Sequence, residues 1–187
     1  MPSLNYDFLK LLQDDYKNYP YFIETGTYLG ETIFTLEPYF SNLYTIELSE
    51  LYYTNTKKQY NGHKINFLLG DSSTVFQTLL PTIPDKAIFF LDGHWSGGNT
   101  GQGDKDCPLI EEITHIYHLF KHDAIIIIDD VRLFGIDARA KGDQDWSEIH
   151  TETLLNILSN RISKMYYLDS VCAKNDRLII HIHRSTF

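Results

Sequence analysis

Apolar residues fall along this chain in two rhythms that take turns. Short unbroken apolar runs alternate with stretches whose apolar residues recur every three or four positions. The runs have the length of strands buried on both faces, and the other stretches read as helices with one apolar stripe. The spacing predicts a helix over 5–17, with Phe8, Leu11, Leu12 and Tyr16 on one side, and a first strand at 21–24. A helix at 31–40 stops near Pro38, and a second strand covers 43–48. Ser49 caps a helix over 49–60, which turns out at Asn61-Gly62. A third strand at 65–69 and a short helix at 72–80 precede the fourth strand, 87–91. The helix over 108–120 shows Leu109, Ile113, Ile116 and Phe120 on one face, and the fifth strand, 124–128, is the most apolar. A helix over 147–159, capped by Ser147, and strands at 164–168 and 177–183 close the chain.

Five strand–helix units followed by a hairpin predict an α/β domain, a mostly parallel sheet with helices on both faces. The short link between the last two strands requires one of them to run antiparallel. No repeat, low-complexity tract or linker interrupts the pattern, so a single domain over 1–187 is expected. Two segments carry no period: 93–107, rich in Gly, Asn, Thr and Asp, and the polar stretch 134–145. Loops of that length inside a compact domain are functional or disordered.

Composition narrows the function. Hydrophobic residues make up 43% and charged residues 22%, enough for an ordinary core. A net charge of -9 argues against nucleic acid, whose binders show a basic patch. No apolar run approaches the ~20 residues that span a bilayer. The first residues, Met1-Pro2-Ser3-Leu4-Asn5, lack the basic and apolar segments of a signal peptide. Cys107 and Cys172 form no metal-type pair and no disulfide framework, so a cytoplasmic, reducing compartment is expected.

Candidate chemistry gathers where strands end. Phe22-Ile23-Glu24-Thr25-Gly26-Thr27-Tyr28-Leu29-Gly30, Ala87-Ile88-Phe89-Phe90-Leu91-Asp92-Gly93-His94 and Ala124-Ile125-Ile126-Ile127-Ile128-Asp129-Asp130 each run from apolar residues into acids. In open α/β sheets the ligand crevice lies outside the carboxyl ends of the strands. Gly26 and Gly30 sit at the first strand-to-helix turn, where glycine permits a close backbone approach to a ligand. Glu47 ends the second strand, where a carboxylate can take ribose hydroxyls, and Asp71 ends the third, within reach of an adenine amino group. The turn is not Gly-x-Gly-x-x-Gly: Tyr28 crowds a pyrophosphate and Glu24 adds negative charge, which favours a ligand without phosphates. At the other end Asp92, Asp129 and Asp130 are oxygen ligands of the kind that suits Mg²⁺, Ca²⁺ or Mn²⁺. Such acids raise one another's pKa unless a cation sits among them.

These motifs resemble those of class I S-adenosylmethionine-dependent methyltransferases. Glu24-Thr25-Gly26-Thr27-Tyr28-Leu29-Gly30 is similar to their first motif, Glu47 to the acid ending their second strand, and Gly70-Asp71-Ser72 to their adenine-contacting turn. The resemblance spans residues 22–131 and implies a Rossmann-like seven-stranded sheet in the order 3-2-1-4-5-7-6, with the seventh strand antiparallel. It implies S-adenosylmethionine as cofactor, held by Glu24, Thr25, Gly26, Thr27, Gly30, Glu47, Asp71, Ser72 and Asp92, with Glu24 suited to the amino group. Asp92-Gly93-His94 and Asp129-Asp130 resemble the metal motifs of sugar O-methyltransferases. That implies Asp92, Asp129 and Asp130 as ligands of Mg²⁺ or a similar cation and His94 as general base. The implied partner is a small acceptor such as a sugar or nucleotide sugar, with Trp95 and Trp146 placed in loops to stack on it. His94 stands where that family has a second acid, and Trp95-Ser96-Gly97-Gly98 differs from its usual continuation. Two other readings stay open: an NAD-dependent or metal-dependent hydrolytic enzyme on the same sheet edge, and a cofactor-binding protein without catalysis. Oligomeric state is not legible in the sequence.

Overall fold

In the computed structural model, which describes residues 3–97, 100–139 and 144–186, seven strands form one sheet in the order β3-β2-β1-β4-β5-β7-β6. They are β1 (Tyr21–Thr25), β2 (Asn42–Glu47), β3 (Ile65–Leu69), β4 (Ala87–Leu91), β5 (Ala124–Ile128), β6 (Ile162–Leu168) and β7 (Arg177–Ile182). The first five are parallel, and β7 runs antiparallel to both β5 and β6. This is the sheet order that the methyltransferase resemblance implies.

The unbroken apolar runs explain which strands are central. Every residue of β4 and β5 is buried, and alternate side chains serve two separate cores. Phe89, Leu91, Ile126 and Ile128 face α4 (Ser72–Leu79), α5 (Leu109–Leu119) and α6 (Thr151–Leu158). Ile88, Phe90, Ile125 and Ile127 face the N-terminal segment and α2 (Glu31–Leu36). Each such side chain contributes about 1.5–3 kcal/mol through burial, so these two strands anchor everything at their carboxyl ends. The edge strand β6 instead leaves Ser163, Lys164, Met165 and Tyr167 exposed.

Three predicted helices are shorter than their periodicity. The stretch 5–17 folds as α1 (Tyr6–Leu9), capped by the Asn5 side chain, and a separate 3₁₀ turn at Tyr16–Asn18. Between them the Asp14 and Asp15 carboxylates take backbone N–H groups from Asp15 and Lys17, and the Tyr166 hydroxyl takes the Gln13 amide. Local side-chain bonds of this kind compete with the helix. Phe8, Leu12 and Tyr16 are still buried, whereas Leu11, expected on the same side, is exposed because the helix breaks before the stripe is complete. The helix expected over 31–40 ends as α2 at Leu36 and tightens into a 3₁₀ turn over Glu37–Tyr39, with Pro38 inside it. The helix expected from 147 starts at Thr151 with His150 as its cap residue. Ser147 donates its amide to Asp145, while Trp146 bonds backbone to backbone with Ile136 and Gly135. Those bonds hold 145–147 outside the helix. Between β2 and β3 lies α3 (Glu50–Gln59). Ser49 precedes it without a side-chain cap, and its amide is donated to Glu47.

Candidate active site

The carboxyl ends of β1 to β4 border a cavity of about 540 Å³. That volume is within the usual range for a small-molecule or cofactor site. Five of the nine residues expected at a cofactor line it: Gly26, Glu47, Asp71, Ser72 and Asp92.

Gly26 shows why the first turn has its sequence. Its φ is +82°, a conformation that L side chains rarely adopt, and a Cβ there would come within 2.2 Å of the Asp92 carbonyl oxygen. The β1 and β4 ends can therefore meet only through glycine. Glu47 is held from two sides, accepting the amides of Tyr28 and Ser49 at 2.8 Å each. Its carboxylate is thus fixed at the cavity wall with acceptor capacity to spare. Asp71 caps α4, taking the amide and hydroxyl of Ser73 on one oxygen. Tyr28 and Tyr52, ring centroids 4.7 Å apart, add an aromatic wall on the Glu47 side.

The other four expected cofactor residues lie off the cavity. Glu24 is 2% exposed and accepts the Thr45 hydroxyl, which also meets the Thr27 hydroxyl. Burial pushes the Glu24 carboxyl up to about 8, with the nearby Glu47 charge acting the same way. Thr25 faces the opposite side, where its hydroxyl accepts the Asp92 amide at 3.3 Å. Gly30, also at positive φ, precedes α2 and packs tightly against Thr56 and Phe34.

The long loop at 93–107 borders the same cavity. Its base is closed by the Trp95 amide bonding the Asp106 carbonyl at 2.7 Å. A Cβ on Gly101 would reach the Leu48 side chain at 2.8 Å, and one on Gly103 would reach the Asp71 carboxylate at 2.6 Å. Small residues let this loop lie across the ends of β2 and β3. Residues 98 and 99 of it, and 140–143 of the second polar loop, lie outside the described residues.

At the far end, Asp92, His94 and Asp130 converge, with one ligand atom from each within 4.8 Å of the others. The His94 Nδ1 lies 3.5 Å from Asp92 and its Nε2 lies 3.3 Å from Asp130 and 3.1 Å from the Ser96 hydroxyl. Burial lowers the His94 pKa, and the Asp130 charge opposes that, so the imidazole is neutral at pH 7. Burial raises Asp92 well above the usual carboxylate range, and Asp129, Asp130 and Glu24 add to the shift.

Asp129 is separate from this group. It is buried and pairs with Arg177, whose Nε and second guanidinium nitrogen each lie 3.2 Å from one carboxylate oxygen. Arg177 also donates to the Ser3 carbonyl and lies 4.8 Å from the Phe8 ring centroid. Asp129 does fall with Asp130 and Asp176 in a second cluster of acids, but Arg132 bridges those two. Two guanidinium groups already supply positive charge there. Trp146 is 3% exposed, packed against Phe134 with its ring centroid 5.0 Å from that of His94, so it backs the histidine and does not offer a stacking face.

Two residues of consequence escaped the sequence reading. Arg177 opens a buried strand, with His181 its other polar residue, directly after Asp176, a charged start that signals a buried partner. Glu112 lies on the apolar stripe of α5 between Leu109 and Ile116, and an acid on such a stripe is the available signal.

No family model matches the sequence, and no curated protein matches it significantly. Solved structures do match. The chain shares the class I methyltransferase fold with them, at identities that speak for the fold alone. One is a Staphylococcus aureus protein assigned as a caffeoyl-CoA O-methyltransferase (TM-score 0.60, 14% identity, 97% of this chain and 85% of that one). Another is the magnesium protoporphyrin IX methyltransferase ChlM of Synechocystis, solved with S-adenosylhomocysteine (TM-score 0.56, 13% identity, 94% and 78%). A third is the N-methyltransferase NodS of Bradyrhizobium japonicum (TM-score 0.54, 11% identity, 88% and 85%). Among the described residues, no helix is long and apolar enough to cross a membrane.

Proposed function

We propose that this protein is an S-adenosylmethionine-dependent O-methyltransferase whose acceptor is a hydroxyl of a small molecule of the sugar or nucleotide-sugar class. The observation that carries the reading is the single cavity running from Glu47 and Asp71 at one end to Asp92 and His94 at the other. Its polar groups suit the two halves of the cofactor. Glu47, anchored by two amides, accepts ribose hydroxyls, Asp71 and Ser72 face the base, and Gly26 and Asp92 flank the methionine end. Glu24, buried and held by Thr45, shapes the β1 turn from below and is not a partner for the amino group.

The acceptor end fits a divalent cation. Two carboxylates and a neutral imidazole converge, a mixed set that suits Mn²⁺ as well as Mg²⁺. Asp92, His94 and Asp130 would hold it, and bound there it would lower the pKa of the acceptor hydroxyl. Asp129 is outside this set and pairs with Arg177 instead. A second reading keeps His94 as the general base without a cation. It is favoured by the placement of the imidazole between Asp92 and Asp130, which would stabilise the imidazolium that proton uptake forms.

Calorimetric titration with S-adenosylhomocysteine is the first test, and absence of both heat and thermal stabilisation at millimolar ligand overturns the proposal. With binding in hand, nucleotide sugars and free sugars are screened for uptake of a labelled methyl group, with and without chelator.

A further inference from the structure

The α5 helix turns an apolar stripe toward the sheet, with Leu109, Ile113 and Ile116 buried on it. Glu112 sits on that stripe and is 1% exposed. Its Oε1 is buried without a hydrogen-bond partner. An unsatisfied buried carboxyl oxygen is costly, and a leucine of similar size would pack in its place without that cost. Stability therefore does not account for an acid at this position.

Its surroundings do. Glu112 lies directly beneath the turn that carries the reactive residues. A Cβ on Gly93 would come within 3.0 Å of the Thr25 hydroxyl oxygen and 3.3 Å of Glu112 Oε1. The Thr25 oxygen accepts the Asp92 amide, so its own proton is free to be donated elsewhere. The hydroxyls of Thr25 and Ser72 favour the charged form of the Glu112 carboxyl, against the burial that disfavours it. Ser72 in turn lines the cofactor cavity. Asp92, Gly93, His94 and Glu112 also border a hollow of about 10 Å³, room for roughly one water.

We propose that Glu112 is a positioning residue: its carboxyl ties the Thr25 hydroxyl to the Ser72 hydroxyl and so fixes the Asp92–His94 turn relative to the cofactor wall. The proposal rests on the reading of the cavity as an S-adenosylmethionine site. It links the β1 end, the α4 start and the β4 end through one side chain that touches no substrate. Gly93 is glycine for the same reason, since Thr25 and Glu112 fill the space beside its Cα.

The test compares Glu112→Leu, Thr25→Val, the double variant and Glu112→Gln. Three quantities are read: amide hydrogen exchange at residues 92–94 in the unliganded protein, melting temperature, and affinity for S-adenosylhomocysteine. Glu112→Leu and Thr25→Val should each speed exchange at Asp92 and Gly93 several-fold and weaken the ligand by about tenfold. The double variant should be no worse than the weaker single variant, because both changes break one network. Glu112→Leu should melt at or above the wild-type temperature, since a buried acid has been removed. Glu112→Gln, which keeps a carbonyl acceptor, should recover most of the affinity. Unchanged exchange at Asp92 and Gly93 in both single variants overturns the proposal. So do additive losses, or a fall in melting temperature with exchange accelerated throughout β4 and β5. If the wild-type protein takes up no S-adenosylhomocysteine, the functional reading fails, and the exchange measurements alone still decide the role of Glu112.

Discussion

Arg177 meets Asp129 through two nitrogens, one 3.2 Å from each carboxylate oxygen. This pairing separates two acids that are neighbours in sequence. Asp129 faces inward to a guanidinium, and Asp130, in a left-handed backbone conformation at φ +62°, faces His94. Removing one partner of a buried ion pair leaves the other charge uncompensated. Arg177→Met should therefore lower stability by about 3–5 kcal/mol in urea unfolding. The double variant Arg177→Met with Asp129→Leu should lose less than Arg177→Met alone. Equal losses in the single and double variants would contradict the pairing.

The same division predicts which acid binds a cation. Mn²⁺ titration followed by electron paramagnetic resonance should show Asp130→Asn weakening the ion by about 10–100-fold, the scale on which groups around a metal act. Methyl transfer should stop in EDTA and return with Mn²⁺ or Mg²⁺. Full activity in chelator would assign the proton to His94 directly.

Glu47 carries the ribose end of the proposed site. Glu47→Ala should weaken S-adenosylhomocysteine by about 1–3 kcal/mol in calorimetry, the cost of a lost charged hydrogen bond. An unaltered dissociation constant would place the nucleoside elsewhere in the cavity.

Buried acids set the pH dependence of stability. Glu24 rises from 4.5 to about 8 and Glu112 from 4.5 to about 7, both through burial first. The folded protein keeps protons that the unfolded chain has released, so this contribution is full below about pH 4.5 and is lost as pH rises through 7 to 8. Carboxylates with lowered pKa, such as Asp137 beside Arg139, act in the opposite sense below pH 4. The unliganded protein should thus be more stable at pH 5.5 than at pH 8.5, by roughly 1–4 kcal/mol. Glu24→Gln should flatten that slope in thermal melts across the range, and an unchanged slope would show that Glu24 ionises normally.

Gly26→Ala tests the closeness of β1 and β4. A methyl group there meets the Asp92 carbonyl oxygen and forces a strained φ. Stability should fall by about 1–3 kcal/mol, and the ligand should bind more weakly. A silent substitution would mean that the two strand ends stand farther apart.

The sequence by itself determined the strands, because apolar runs and period-3.6 stripes are local properties of the chain. It also placed Glu47, Asp71 and Asp92 at strand ends, where a parallel sheet must put its crevice. The directions of individual side chains were decided only by packing. Consecutive strand-end residues point to opposite sides, so Glu24 goes to Thr45 and Thr25 to Asp92, and no motif spacing says which side holds the cavity. Asp129 acquired its partner from a residue 48 positions away. The helix stripe over 5–17 buried Phe8, Leu12 and Tyr16 but not Leu11, and the helix broke because Asp14, Asp15 and Tyr166 offered its backbone other partners. Periodicity counts neighbours along the chain, whereas hydrogen bonds and charge pairs are settled by neighbours in space.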